Sequence, residues 1–392
     1  MTTAATPHRP QRGFSLLEMM VAIVIGMFSV LVIVQVLSGT ATSRRIAVGG
    51  GDAQLNGVAA MRTLQLEIEH AGLGLQSFNI SGCSLTFATG GTAVTLPSLA
   101  PVTINSTMVP AGDANTDTLL VMSGNSASPS EGDAVTSTTT TNTYMVTTPD
   151  AFQVGDRLLV SPSGRASPCA LQVAQVTAKT GFALTVANGT AGLPSGSIVF
   201  NLGSTPVVRA YAIRNGDLTV CDYLASNCGA AASVTPLDNA VWAPVASNLV
   251  SMRAQYARDT SGITGSVSVM DGVVDQFDQA TPTAAGAIPL QCAWVRVLGV
   301  RLALVARSQQ FDKNLVYRAT STGAGIPPPT WEGATPNTTA SSGVPLNPTV
   351  VPITLGTGWA NYRYNTTQTL IPLRNAIWQG GQPSYQGGGG AC

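Results

Sequence analysis

The chain has 392 residues, of which 44% are hydrophobic and only 10% charged, and its 19 lysines and arginines balance 19 acids. That length leaves room for two or more domains around sizeable cores. The even balance carries no basic signature of a nucleic-acid binder, and loss of the first residues, with Arg9 and Arg12, would leave the remainder slightly acidic.

Residues 1–13, MTTAATPHRPQRG, hold His8, Arg9 and Arg12 and no acid. Residues 14–37 then form an apolar run interrupted by one charge, Glu18. At about 1.5 Å per residue such a run crosses the roughly 30 Å core of a bilayer as one helix. The basic flank predicts a cytoplasmic leader and an extracytoplasmic remainder. A secretory signal peptide would have a shorter apolar run and a small-residue cleavage site beyond it, for which Gly39, Thr40 and Ala41 are the available residues. An ionised carboxylate in a lone membrane helix is costly, so Glu18 is expected to face a partner, with solvation among headgroups as the plainer alternative.

Residues 38–75 extend the helix out of the membrane, with Val58, Met61, Leu64, Ile68 and Ala71 on the face that packs on a globular head. Gly49, Gly50 and Gly51 predict a kink or melted turn, since each glycine costs a helix about 1 kcal/mol relative to alanine. Gly72 and Gly74 supply its end, because glycine takes the left-handed conformation of a C-terminal cap.

The junction Gly13-Phe14-Ser15-Leu16-Leu17-Glu18, with the basic leader before it and the apolar run behind, resembles the processing site of type IV pilins and type II secretion pseudopilins. The resemblance implies that a prepilin peptidase cuts between Gly13 and Phe14 and methylates Phe14. It also implies that Glu18 pairs with the N-terminal amine of a neighbouring subunit. Within the pilins, the Ala71-Gly72 pair followed by Cys83 is similar to large minor pilins of the PilW type.

Residues 76–320 read as a β-rich head with insertions. DTLLVMSG, NTYMVTT, DRLLVSP, LQVAQVTA, FALTVANG and SIVFNLG each look like a strand between turn residues, implying a sheet or small barrel. Asn215-Gly216, between two strand-like runs, predicts a tight hairpin. The segment with Leu249, Met252 and Tyr256 fits either a short helix or a strand. Asp271, Asp275 and Asp278 could gather around calcium, but their spacing departs from the EF-hand, so a solvated acidic loop is preferred and no metal is expected. Trp294 to Ser308 reads as a buried strand with Arg296, Arg301 and Arg307 at or near its margins, or as a helix of the same length. Residues 321–392 read as a Pro/Gly-rich surface loop and a closing segment, where Leu373-Arg374-Asn375 resembles the end of PilW-type pilins and J-type pseudopilins.

All six cysteines, Cys83, Cys169, Cys221, Cys228, Cys292 and Cys392, follow the apolar run, and an even number in an oxidising compartment suggests disulfides. Cys221 with Cys228 is the best single pair, and spacing leaves the rest open. Beyond the leader the one histidine is His70, beside Glu67 and Glu69, and no nucleophile elbow, P-loop or zinc-protease motif occurs. The chain is therefore expected to be neither an enzyme nor dependent on a cofactor.

The expected fold is α+β and pilin-like, with a long N-terminal transmembrane helix packed on a large antiparallel β-rich head. The resemblance implies a minor pilin held in the inner membrane by a single pass, its head in the periplasm, and incorporated into the pilus at the cell surface. Its implied partners are the major pilin, other minor pilins, prepilin peptidase and the pilus assembly machinery, with no nucleic acid. The alternatives are a J-type pseudopilin of type II secretion and a membrane-tethered or pilus-tip adhesin.

Overall fold

Helix α1 runs from Leu16 to His70 in the computed structural model, which describes residues 13, 15–75, 77–89, 92–125, 132–137, 140–164, 169–235, 237–261, 270–285, 288–313, 316–317, 327–338, 345–375 and 392. Gly49, Gly50 and Gly51 lie inside it, so the expected melted turn is not formed. Propagating an existing helix fixes one residue per hydrogen bond gained, and strong formers on both sides carry the helix through three weak ones. The chain divides into two compact units, residues 1–51 and 52–392.

Within the second unit the end of α1 buries Ala53, Ala60, Met61, Leu64 and Ile68 in a core with Met252, Tyr256, Leu302 and Leu304. Val58, expected on this face, is 51% exposed. The face position belongs instead to Gly57, where an added Cβ would lie 3.2 Å from Thr367 Oγ1 and 3.4 Å from the Ala306 Cβ. A side chain here would crowd Thr367 and Ala306, and glycine lets helix and sheet approach without that crowding, while Val58 turns about 100° away. The helix end is closed by a distant residue: Asn375 Nδ2 donates to the carbonyls of His70 at 3.2 Å and Ala71 at 3.0 Å, the first of which also takes the Leu73 amide at 3.4 Å. Gly72 follows at φ 85° and donates its N–H to Met122 O.

The sheet beneath the helix is antiparallel, in the order Gln276–Asp278, Leu249–Arg258, Val297–Arg307, Tyr364–Pro372. The Leu249 segment is therefore strand. Trp294 instead belongs to a short helix, Leu290–Val295, that leads into the Val297 strand. Arg301 is a second correction, since it lies mid-strand and only 7% exposed rather than at a margin. Its burial is tolerated because Nη2 donates to Gln255 Oε1 at 2.5 Å, Glu332 lies 3.5 Å away, and the guanidinium stacks 3.8 Å over Phe277. The Pro-rich segment, expected to run over the surface, covers this outer face: Trp331 is 3% exposed and donates to Val351 O, and Asn347 Oδ1 accepts from Gln255 Nε2. Covered on both faces, the Val297–Arg307 strand is buried along nearly its whole length.

A five-stranded antiparallel sheet lies beside it, ordered Ala243–Ala246, Asp217–Asp222, Val207–Arg214, Leu119–Ser123, Val102–Ile104. Its hairpin pairs Arg214 with Asp217, leaving Asn215 and Gly216 as a two-residue turn at φ 54° and 78°. Six of the seven described strands between residues 132 and 203 form one sheet whose two ends meet through the Val135–Val146 bridge, closing a small barrel. Tyr144, Phe152, Leu158, Val176, Leu184 and Val199 fill it. A three-stranded sheet, Thr92–Leu96, Ser84–Thr89 and Ala170–Gln172, completes the head.

Candidate functional site at the helix N-terminus

Helix α1 begins with Ser15 and Glu18 in reciprocal contact. Glu18 N donates to Ser15 Oγ at 3.4 Å, and Ser15 N donates to Glu18 Oε2 at 3.2 Å. This is a capping box, which satisfies two of the amides that a helix leaves open at its start. Ser15 was not among the residues singled out in the sequence, although Ser-x-x-Glu before an apolar run is its local signal. Gly13 is exposed with nothing within 4 Å of an added Cβ, while Phe14 and the leader lie outside the described residues.

From Leu16 to Ala41 the helix is long and apolar enough to cross a membrane, and that stretch has no buried share. Val24, Phe28, Leu31 and Val34 are all more than half exposed. Its hydroxyls are satisfied within the helix: Ser29 Oγ donates to Ile25 O at 2.9 Å, Ser38 to Gln35 O and Thr40 to Leu37 O. Glu18 is then the one ionisable side chain in this span. An apolar helix with an unpaired charge near one end can bury both in a bundle of like helices.

In the head, Cys83 bonds Cys169, Cys221 bonds Cys228 and Cys292 bonds Cys392, leaving no free cysteine. The last of these ties residue 392 to the head across a sequence separation of 100, and Arg296 donates to the Cys392 carbonyl. Asp271, Asp275 and Asp278 do not converge. Asp271 accepts from Val273 N, Asp275 from Thr260 and Ser261, and Asp278 pairs with Arg258 at 2.8 Å. Glu67 and Glu69 are likewise engaged, the first with Arg209 at 2.6 Å and the second with Gln65 and, at 3.7 Å, Arg374. Burial lowers the Arg209 pKa, but Glu67 and its neighbours more than offset this and the net direction is up.

The Cys221–Cys228 loop carries Tyr223, whose hydroxyl donates to Met108 O at 2.6 Å. Burial pushes its pKa up to about 12, with Arg214 pulling in the other direction. The folded state therefore holds this proton longer than the unfolded chain. The stability it contributes is full below about pH 10 and is lost as the pH rises toward about 12. Urea midpoints should fall across that alkaline window, and Tyr223→Phe should make the fall shallower.

Residues 222–375 match the family model described as type IV pilus-assembly protein W, and residues 8–34 match that described as the prokaryotic N-terminal methylation motif. Comparison with curated proteins and with solved structures gave no match. The first match takes in the four-stranded sheet and the Asn375 cap, while the barrel lies outside both matches.

Proposed function

We propose that the chain, a PilW-type pilin by its matches over residues 222–375 and 8–34, acts as a minor pilin in starting and assembling the type IV pilus. The observation that carries the proposal is the apolar Leu16–Ala41 surface, headed by Glu18, inside a segment that matches the prepilin methylation motif. Prepilin peptidase cuts after Gly13 and methylates Phe14. The exposed helix then anchors the subunit in the inner membrane with its head in the periplasm, and afterwards packs among the helices of the major pilin and other minor pilins. Transfer from lipid to a helix bundle is balanced in apolar terms, because both surroundings are equally greasy. The charge decides the direction, since Glu18 leaves an environment without a partner for one that supplies the N-terminal amine of a neighbour.

Intact-mass and N-terminal analysis of membrane-purified protein tests this. A chain beginning at methylated Phe14 in wild-type cells, and at Met1 in cells lacking the peptidase, is the expected result, together with loss of surface pili on deletion of the gene. Cleavage near Ala41, or normal piliation in the deletion strain, would overturn it.

A further inference from the structure

Several described cationic side chains lack a carboxylate within 4 Å, Arg157 among them with a buried and unpartnered Nε of its own, and Arg307 is the one of these that lines the cleft at the edge of the four-stranded sheet. It ends the Val297–Arg307 strand, its backbone N–H bonded to Asn248 O, yet its guanidinium makes no hydrogen bond or ion pair among the described residues and its Nε is buried without a partner. Its Cζ lies over the ring of Tyr362, 4.6 Å from the centroid. Arg209, Arg253, Arg258, Arg296, Arg301, Arg363 and Arg374 all have carboxylates within 4 Å.

Arg307 lines a cleft of about 390 Å³ whose walls come from five separate stretches of the chain. Trp359, Tyr362 and Tyr364 supply half-exposed aromatic surface. Each ring packs against another aromatic side chain, Trp359 and Tyr364 against Tyr317 with centroids 5.6 and 5.7 Å apart, and Tyr362 against Phe311 at 5.6 Å. The Asn215-Gly216 turn also lines the cleft, held by Asp113, whose two carboxylate oxygens accept from the Asn215 and Gly216 amides at 2.9 and 2.8 Å. Thr354 and Thr357 add hydroxyls.

We propose that this cleft binds an acidic saccharide, a uronic-acid-type sugar whose carboxylate is taken by Arg307 and whose ring lies on the aromatic wall. Braced aromatic faces suit the apolar C–H faces of a sugar ring and lose little entropy on binding. Amide, hydroxyl and carboxylate groups around them match a ligand with many hydroxyls, which can donate to the remaining lone pairs of Asp113. The unpaired planar guanidinium selects a carboxylate, which it can hold with two parallel hydrogen bonds. A neutral sugar would leave that group unmet, and an acidic peptide would leave the braced rings and the hydroxyl wall without matching surface.

The test is titration of the full-length protein in detergent with trigalacturonate, against galactotriose and triglutamate as neutral and peptide controls. The expected result is saturable binding of trigalacturonate, weaker by roughly tenfold or more for both controls and for Arg307→Gln and Arg307→Lys, the scale of one charge-assisted hydrogen bond. In the unaltered protein, trigalacturonate should also protect Arg307 from modification by phenylglyoxal, read by peptide mass, so that the answer does not rest on a variant's folding. No saturable binding, or equal binding by galactotriose, would overturn the proposal. Equal binding by triglutamate would reassign the cleft to an acidic peptide.

Discussion

Asp117→Ala is expected to destabilise the head by roughly 3–5 kcal/mol, the cost of stripping one partner from a buried ion pair. Asp117 is 3% exposed and accepts four hydrogen bonds. Oδ1 takes Asn105 Nδ2 at 3.1 Å and Arg253 Nη1 at 3.2 Å, while Oδ2 takes the Ala254 amide at 2.9 Å and Gln279 Nε2 at 2.6 Å. One carboxylate thus holds the 105–118 loop, the Leu249–Arg258 strand and the segment after Asp278 in register. Without it, the guanidinium of Arg253 keeps only the Pro352 carbonyl by its Nε, and the Ala254 amide is buried with no acceptor. Asp117→Asn keeps the shape but offers one acceptor oxygen and adds an NH₂ that faces donors, so its loss should fall below that of alanine. Urea unfolding with disulfides intact measures both. A loss under about 1 kcal/mol for alanine would mean that water or a relaxed loop replaces the carboxylate.

That network joins segments far apart in sequence, which is why the sequence leaves it unread while showing its parts. The Asn215-Gly216 hairpin is legible because its cause is local: both residues sit at positive φ, which asparagine and glycine tolerate. Leu249, Met252 and Tyr256 fit two periods, and what decides for strand is non-local, with α1 on one face and the Trp331 segment on the other. Arg301 is read at a margin because arginine is seldom buried. Its partners Gln255 and Glu332 lie on other segments of the chain, and nothing in its own neighbourhood announces them. The barrel strands can be picked out one by one from their turn residues, but closure depends on Val135 meeting Val146. Val58 is misplaced by one position because a glycine, which carries no hydrophobic signal, holds the helix face.

At the candidate site, the sequence yields Gly13, Phe14 and Glu18 through a resemblance and passes over Ser15, which the structure joins to Glu18. That contact gives the carboxylate two possible uses, and the two can be separated. Glutamine at position 18 still completes a capping box through its amide oxygen but carries no charge to pair with an amine. Alanine at position 15 removes the cap, a loss of about 1 kcal/mol in helix stability, and leaves the charge. If Glu18 serves subunit pairing, Glu18→Gln and Glu18→Ala should both be cleaved and methylated normally, as mass analysis reports, yet be nearly absent from sheared pili. Ser15→Ala should enter pili at close to the wild-type level. The reverse pattern, with Ser15→Ala excluded and Glu18→Gln incorporated, would make Glu18 a helix cap and leave the assembly contact to the apolar surface alone. The first pattern is expected, because a cap worth about 1 kcal/mol adds little to a helix whose membrane span is predominantly apolar, whereas an unpaired carboxylate among packed apolar helices costs several times as much.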